Sequence, residues 1–183
     1  GVQTCALPIS SHLADMLKLS NYYIKNDLQS SLKLYTESEN LARKLKRIDL
    51  QIDAMNGMAD AFWYVAKYDK AYDYYYKAYK LADSIKDRSE TALSLYNLGW
   101  LSCIDQHNYK DVNYLYRSLG IYKELKDDNG YLDVYNSIGL CYMHKFIDQG
   151  SKSDFDSSVY YLKGGIDYAR KCKLYRKITV FNA

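Results

Sequence analysis

A chain of 183 residues, 48% of them hydrophobic, is long enough to bury a core and too apolar to be disordered throughout. Its formal net charge of +3 does not by itself imply nucleic acid, and no apolar run approaches the roughly eighteen residues that cross a bilayer. One proline and nine glycines are few for a chain with many turns, which favours helices over strands.

The first segment, "GVQTCALPIS", shares no period with the rest of the chain and lacks the basic start and apolar run of a signal peptide. It closely resembles the translated read of a sequencing adapter, so residues 1–11 are expected to be a non-native leader. The other end, "LYRKITVFNA", stops inside an amphipathic pattern, so a fragment is expected at both ends. With its native start expected to be missing, the chain's want of a signal peptide carries no weight. Cys103, Cys141 and Cys172 are scattered without paired spacing, which reads as free thiols in a reducing compartment and leads to an expectation of cytoplasmic placement.

From residue 12 onward the chain repeats. Ala59, Gly99 and Gly139 are small residues forty positions apart, each preceded by an apolar one: Met58, Leu98 and Ile138. Downstream of each come an aromatic or apolar residue, a turn and a second amphipathic stretch; such stretches begin at Leu28, Tyr68, Tyr109 and Phe155. The units run near 12–48, 49–87, 88–128 and 129–173, with a partial one at 174–183. Asp27, Asp69 and Asn108 stand where a side chain can cap a helix start. Lysines and arginines crowd the likely helix ends, in "ARKLKR" and "ARKCK". In "YDKAYDYYYKAYK", Tyr68, Tyr72, Tyr75 and Tyr79 fall at i, i+4, i+7 and i+11, the spacing of one helical face. Those four are expected to pack, with hydroxyls at the rim, while Tyr74 and Tyr76 sit on outer flanks. The fourth unit carries an insertion, "IDQGSKS", expected as a surface loop between its helices.

This layout resembles tetratricopeptide repeats, whose signature is W-x2-L-G-x2-Y, A-x3-F and a late proline. Leu98-Gly99 match L-G, Ile138-Gly139 with Tyr142 match the G-x2-Y portion, and Ala71 with Tyr75 match A-x3-F. Met58-Ala59 with Phe62 match more loosely. The late proline is absent, Ser102 stands where tyrosine is expected, and the spacing of forty exceeds the usual thirty-four or so, as in a longer form found in bacterial signalling proteins. The resemblance implies an all-α, right-handed α-solenoid of antiparallel helix pairs, with about four repeats plus a truncated helix. It also implies that ligands bind the concave face lined by first helices. The function expected is a protein- or peptide-binding scaffold, not an enzyme, within a bacterial sensory or regulatory protein.

On that face, spacing selects Asp53, Asn56, Asp60 and Trp63, then Leu93, Tyr96, Trp100 and Cys103, then Asp133, Asn136, Leu140 and Met143. Asn97 sits as in the family's clamp for chaperone-tail carboxylates, but Asn56 and Asp60 stand where that clamp uses lysine and asparagine. The contact set expected is Asn56, Asp60, Trp63, Tyr96, Asn97, Trp100, Asp133, Asn136, Leu140 and Met143. Acidic groups beside aromatics suit a peptide with apolar anchors and positive charge. The competing reading has Trp63, Trp100 and Leu140 simply packing between neighbouring first helices. A rival function is a metal- or thiol-dependent domain using Cys103, Cys141 and His144, with Cys141 and His144 at i, i+3. No cofactor is expected, because no phosphate-cradling glycine loop or H-E-x-x-H is present. Nucleic acid and membrane are not expected partners; the basic clusters "RKLKR" and "RKCKLYRK" read as solvated helix ends.

Overall fold

In the computed structural model of the chain, residues 3–174 are described, with side chains from Ser11 onward. Among them are eight α-helices and no strand: α1 Gln3–Tyr23, α2 Leu28–Lys44, α3 Ile48–Tyr64, α4 Tyr68–Ser84, α5 Arg88–Trp100, α6 Val112–Leu125, α7 Asp128–Gln149 and α8 Lys152–Lys171. The chain is an all-α helical repeat. It divides into two compact units, Gly1–Glu90 and Thr91–Ala183. In the first, α1 packs on α2 and α3, α2 on α3, and α3 on α4. In the second, α6 packs on α7 and α7 on α8. There the Ser118 hydroxyl of α6 donates to the Ala92 carbonyl of α5 at 2.7 Å. The further helix expected at 174–183 lies almost wholly outside the described residues.

The small residues that set the period are seats for bulky ones on the following helix. A methyl built on Gly99 would come within 2.6 Å of Leu115, and one on Gly139 within 2.9 Å of Leu162. Without side chains there, the two helices of a pair approach closely and exclude water. Ala59 is the fully buried counterpart in α3; Tyr75, forty positions before Leu115, gives its hydroxyl to the neighbouring Asp60 at 2.5 Å. Tyr35, a further forty before, is 1% exposed, donates to Asn21 Oδ1 and lies so close against Gly57 that its ring leaves no room for a methyl there. It anchors a cluster with Leu17, Ala54, Met58 and Ala61.

The chain stops its helices in an unusual way. Lys46, Lys86 and Lys126 are spaced by forty and all have φ of 56–58°, in the left-handed region. At each, the next amide reaches back five residues: Arg47 to the Ala42 carbonyl at 2.9 Å, Asp87 to Ala82 at 3.0 Å and Asp127 to Tyr122 at 3.0 Å. This is the bond pattern of a Schellman cap, which glycine ordinarily fills. Lys173 repeats it after α8, and Ala66 after α3.

Several local expectations need correcting. Asp27 does cap α2, accepting from the Ser30 amide at 3.1 Å. Asp69 lies inside the first turn of α4, whose cap position is Lys67, and the Asn108 side chain turns instead to Asp111 at 2.9 Å. The caps overlooked are Asp127, which accepts from the Asn129 and Gly130 amides, and Asp87, which accepts from Glu90. Tyr75 and Tyr79 are buried as expected and Tyr76 is exposed. Tyr74 is no flank residue: it stacks on Phe62 at 5.6 Å and packs against the Tyr35 cluster. The insertion forms no loop. Ile147, Asp148 and Gln149 extend α7 to 22 residues, Gly150 takes a left-handed φ of 71°, and α8 starts at Lys152.

Because Lys86 is exposed and holds a conformation costing an L-residue about 1–2 kcal/mol, Lys86→Gly is expected to stabilise the chain by about 0.5–1 kcal/mol. A higher urea midpoint at unchanged slope checks this; a lower midpoint contradicts it.

Candidate functional site

In the first unit, α3 turns Ile52, Ala54, Met58, Ala59 and Ala61 into the core, which leaves Asp53, Asp60 and Trp63 on its exposed side. Trp63 is 42% exposed, far more than a packing role alone requires. Asn56 behaves differently: it is 8% exposed, and its side-chain oxygen has no hydrogen-bond partner. Asp60 keeps an open edge, yet the protein around it raises its carboxyl above the ordinary range, with the Tyr75 hydrogen bond acting the other way.

Around Asp53 lies a cluster of carboxylates. Burial raises the Asp53 carboxyl, and the charge of Asp49 adds to it. Glu90 is raised by burial and then by Asp53, Asp87 and Asp49, and its Oε2 is buried without a hydrogen-bond partner. Asp49 has the Arg47 guanidinium against it at 2.6 and 2.9 Å, which holds it below the ordinary range. The ammonium groups of Lys70 and Lys77 on α4 lie over aromatic rings, at 5.4 Å from Phe62 and 4.7 Å from Tyr74. The exposed side of α3 therefore carries crowded negative charge near its start and an open tryptophan, with Asp60 one turn before it, near its end.

In the second unit, Leu93 is exposed on α5, while Tyr96, Asn97 and Trp100 are half-buried. The Tyr96 and Trp100 rings lie 6.5 Å apart. Burial raises the Tyr96 phenol, the hydrogen bond with Ser137 of α7 lowers it, and the Asp133 charge raises it. Asp133 is exposed, and Leu140 and Met143 are half-buried. Asn136 does not reach the surface: it is 8% exposed, and its side-chain oxygen lies where a methyl on Gly165 of α8 would stand. Of the ten residues selected by spacing, Asp60, Trp63 and Asp133 are open, five are half-covered, and the two asparagines Asn56 and Asn136 are interior. Spacing could not separate them, because they occupy the edge where the exposed side of a first helix meets its partner helix.

The cysteines sit in the core. Cys103 and Cys141 are buried free thiols. The Cys141 sulfur and burial both push the Cys103 thiol far up, and its sulfur lies 3.9 Å from the Asn108 carbonyl. Burial and the neighbouring sulfur thus work against a reactive thiolate at Cys103. The His144 ring faces His107, with centroids 6.2 Å apart. Among the described residues no three His, Cys, Asp or Glu side chains come together as a metal would need.

A polar cluster at the foot of α7 had no signature in the sequence. The Asp148 carboxylate accepts from His107 Nδ1 at 2.6 Å and from the Tyr109 hydroxyl, joining residues about forty positions apart. Only the helical path of the insertion brings Asp148 there.

No protein-family model matches the chain, and no curated protein does. Solved structures do. One is the crystal structure of BtubC (BKLC) from P. vanneervenii, at 19% identity and a TM-score of 0.72 over 89% of this chain. This chain spans 63% of that structure's length. The likeness shows an all-α helical fold. A second, titled "DHF58 filament", aligns at 13% identity and a TM-score of 0.41, covering 95% of this chain and 96% of its own.

Cys103 and Cys141 should resist iodoacetamide in the native chain at neutral pH and react on denaturation, read by peptide mass mapping; rapid native labelling of Cys103 would overturn the buried-thiol picture. Asp53 and Glu90 have folded pKa values above their unfolded ones, so their favourable contribution exists at acid pH and is lost as pH rises. The stability gain of Asp53→Asn over the parent is therefore expected to be smallest near pH 4 and to grow towards pH 7. A gain that shrinks over that range would reverse the sign.

Proposed function

We propose that this chain is a tetratricopeptide-type scaffold that binds a segment of another protein, and that the segment carries positive charge and at least one bulky apolar side chain. The observation that carries this reading is the exposed side of α3, where Trp63 stands open with the carboxylates of Asp53 and Asp60. Crowded carboxylates raise one another's charging cost in the free protein, and a lysine or arginine from a partner would offset that cost. An open tryptophan is the side chain most often found at the energetic centre of a protein interface. Tyr96, Trp100 and Leu93 supply similar apolar contact in the second unit.

The motifs Leu98-Gly99, Ile138-Gly139 and Ala71 with Tyr75 support the tetratricopeptide assignment. The forty-residue spacing supports a place in a bacterial sensory or regulatory protein. The burial of Cys103 and Cys141 as free thiols counts against thiol chemistry.

A display library of random twelve-residue peptides tests the proposal. Enriched peptides are expected to combine lysine or arginine with leucine, phenylalanine or tryptophan. Trp63→Ala is expected to weaken the best of them about tenfold or more by calorimetry, the size of an interface anchor. Asp53→Asn should weaken binding less, and less still at high salt. Enrichment of acidic peptides, or affinity indifferent to Trp63→Ala, would overturn the assignment of this face.

A further inference from the structure

Both departures from the forty-residue period end at one place. In the third unit, α5 passes into a π-helical turn, Leu101–Asp105, which closes with the Gln106 amide on the Leu101 carbonyl at 3.1 Å and the Asn108 amide on Ser102 at 2.8 Å. His107 then takes a left-handed φ of 56°, forty-one positions after Ala66 instead of forty. In the fourth unit, the inserted residues extend α7 until Asp148 meets His107 and Tyr109. Stacking one helix pair on the next needs neither departure. Together they line a cleft of about 460 Å³ with His107, Asn108, Tyr109, Lys110, Lys145 and Gln149. Every lining side chain is polar, and π turns recur at functional sites.

The hydrogen-bond inventory of the cleft favours donors. The Asp148 carboxylate, which holds two of the lining residues, is occupied by His107 and Tyr109. The Asn108 amide is taken by Asp111, and Lys145 lies 3.0 Å from the nearly buried Asp154. Lys145 retains two of its three ammonium hydrogens, and Lys110 and Gln149 keep all their side-chain donors. Lys145 pairs with Asp154, Asp111 is held by Asn108, and Lys110 enters no ion pair among the described residues. The volume lies within the range of about 300–1,000 Å³ typical of small-molecule sites and exceeds what a bare ion fills. We infer that this cleft binds a small molecule through a single oxyanion group, a carboxylate or a phosphate, held by Lys110, Lys145 and Gln149.

Nuclear magnetic resonance of the histidine rings in the full chain tests this. The chain is titrated separately with sodium acetate, inorganic phosphate and sodium chloride at matched ionic strength and constant pH. Saturable shifts of the His107 signals are expected with acetate or phosphate and not with chloride; the salt that saturates at lower concentration identifies the group. Lys110→Ala and Gln149→Ala, both exposed and expected to leave the melting temperature unchanged, should weaken that binding tenfold or more, while Lys70→Ala in the first unit should not. Shifts that track ionic strength alike in all three salts would overturn the inference. So would saturable binding indifferent to both Lys110→Ala and Gln149→Ala, which would mark an adventitious ion only.

Discussion

The close approach of paired helices over a residue with little or no side chain is the constraint on which the rest of the structure depends. At Gly99 and Gly139 there is no room for even a methyl group beside Leu115 and Leu162. Interiors packed to this density tolerate little change in volume at the contact, so the seat and the side chain it receives act as one unit. Once a pair is closed in this way, the first helix has one side committed to its partner. Its remaining surface either meets a neighbouring first helix or stays open. The division of α3 into a core side and a side with Asp53, Asp60 and Trp63 follows from that geometry.

The same constraint explains which tyrosines matter. Tyr35 and Tyr75 occupy the position that leucine fills in the later units, and each needs an acceptor for its hydroxyl, supplied by Asn21 and Asp60. Asp60 is thereby drawn partly inward. In the second unit leucine replaces tyrosine at this position, and the phenols gather elsewhere. Tyr116 and Tyr142 pair at 3.0 Å between hydroxyls, with Tyr161 3.3 Å from Tyr116. Tyrosine abundance in this chain is therefore mostly a packing solution with buried or shared hydroxyls.

The periodicity of the helices was legible in the sequence because it rests on side-chain volume: Gly99, Gly139 and the Tyr75–Tyr79 face announce themselves by size and spacing. The starts of α2 and α4, at Leu28 and Tyr68, were legible for the same reason. The basic clusters "ARKLKR" and "ARKCK" marked the ends of α2 and α8, which stop at Lys44 and Lys171; the left-handed caps at Lys46, Lys86 and Lys126 were not legible, because lysine shows no preference for that conformation. The insertion misled because glycine and serine suggest a loop, whereas only Gly150 and Ser151 stand between the two helices. On the binding face, Trp63 was visible as an aromatic at the right spacing. The cover over Asn56 and Asn136 was not, since it depends on how deeply each first helix sinks against its partner, as the Gly165 contact shows for Asn136. Asp148 reaching His107 was invisible because it needs both the lengthened α7 and the π turn.

The turn at Leu101–Asp105 has a rotational effect. One added residue in a helix advances the emerging chain by about 100° around the axis. His107 and the short stretch after it thus leave α5 pointing a quarter-circle or so away from where a regular helix would have sent them. The stretch from His107 to Lys126 is one position shorter than that from Ala66 to Lys86, so the phase is restored before α7 begins. The chain thereby re-aims a single corner and leaves the helices on either side in step.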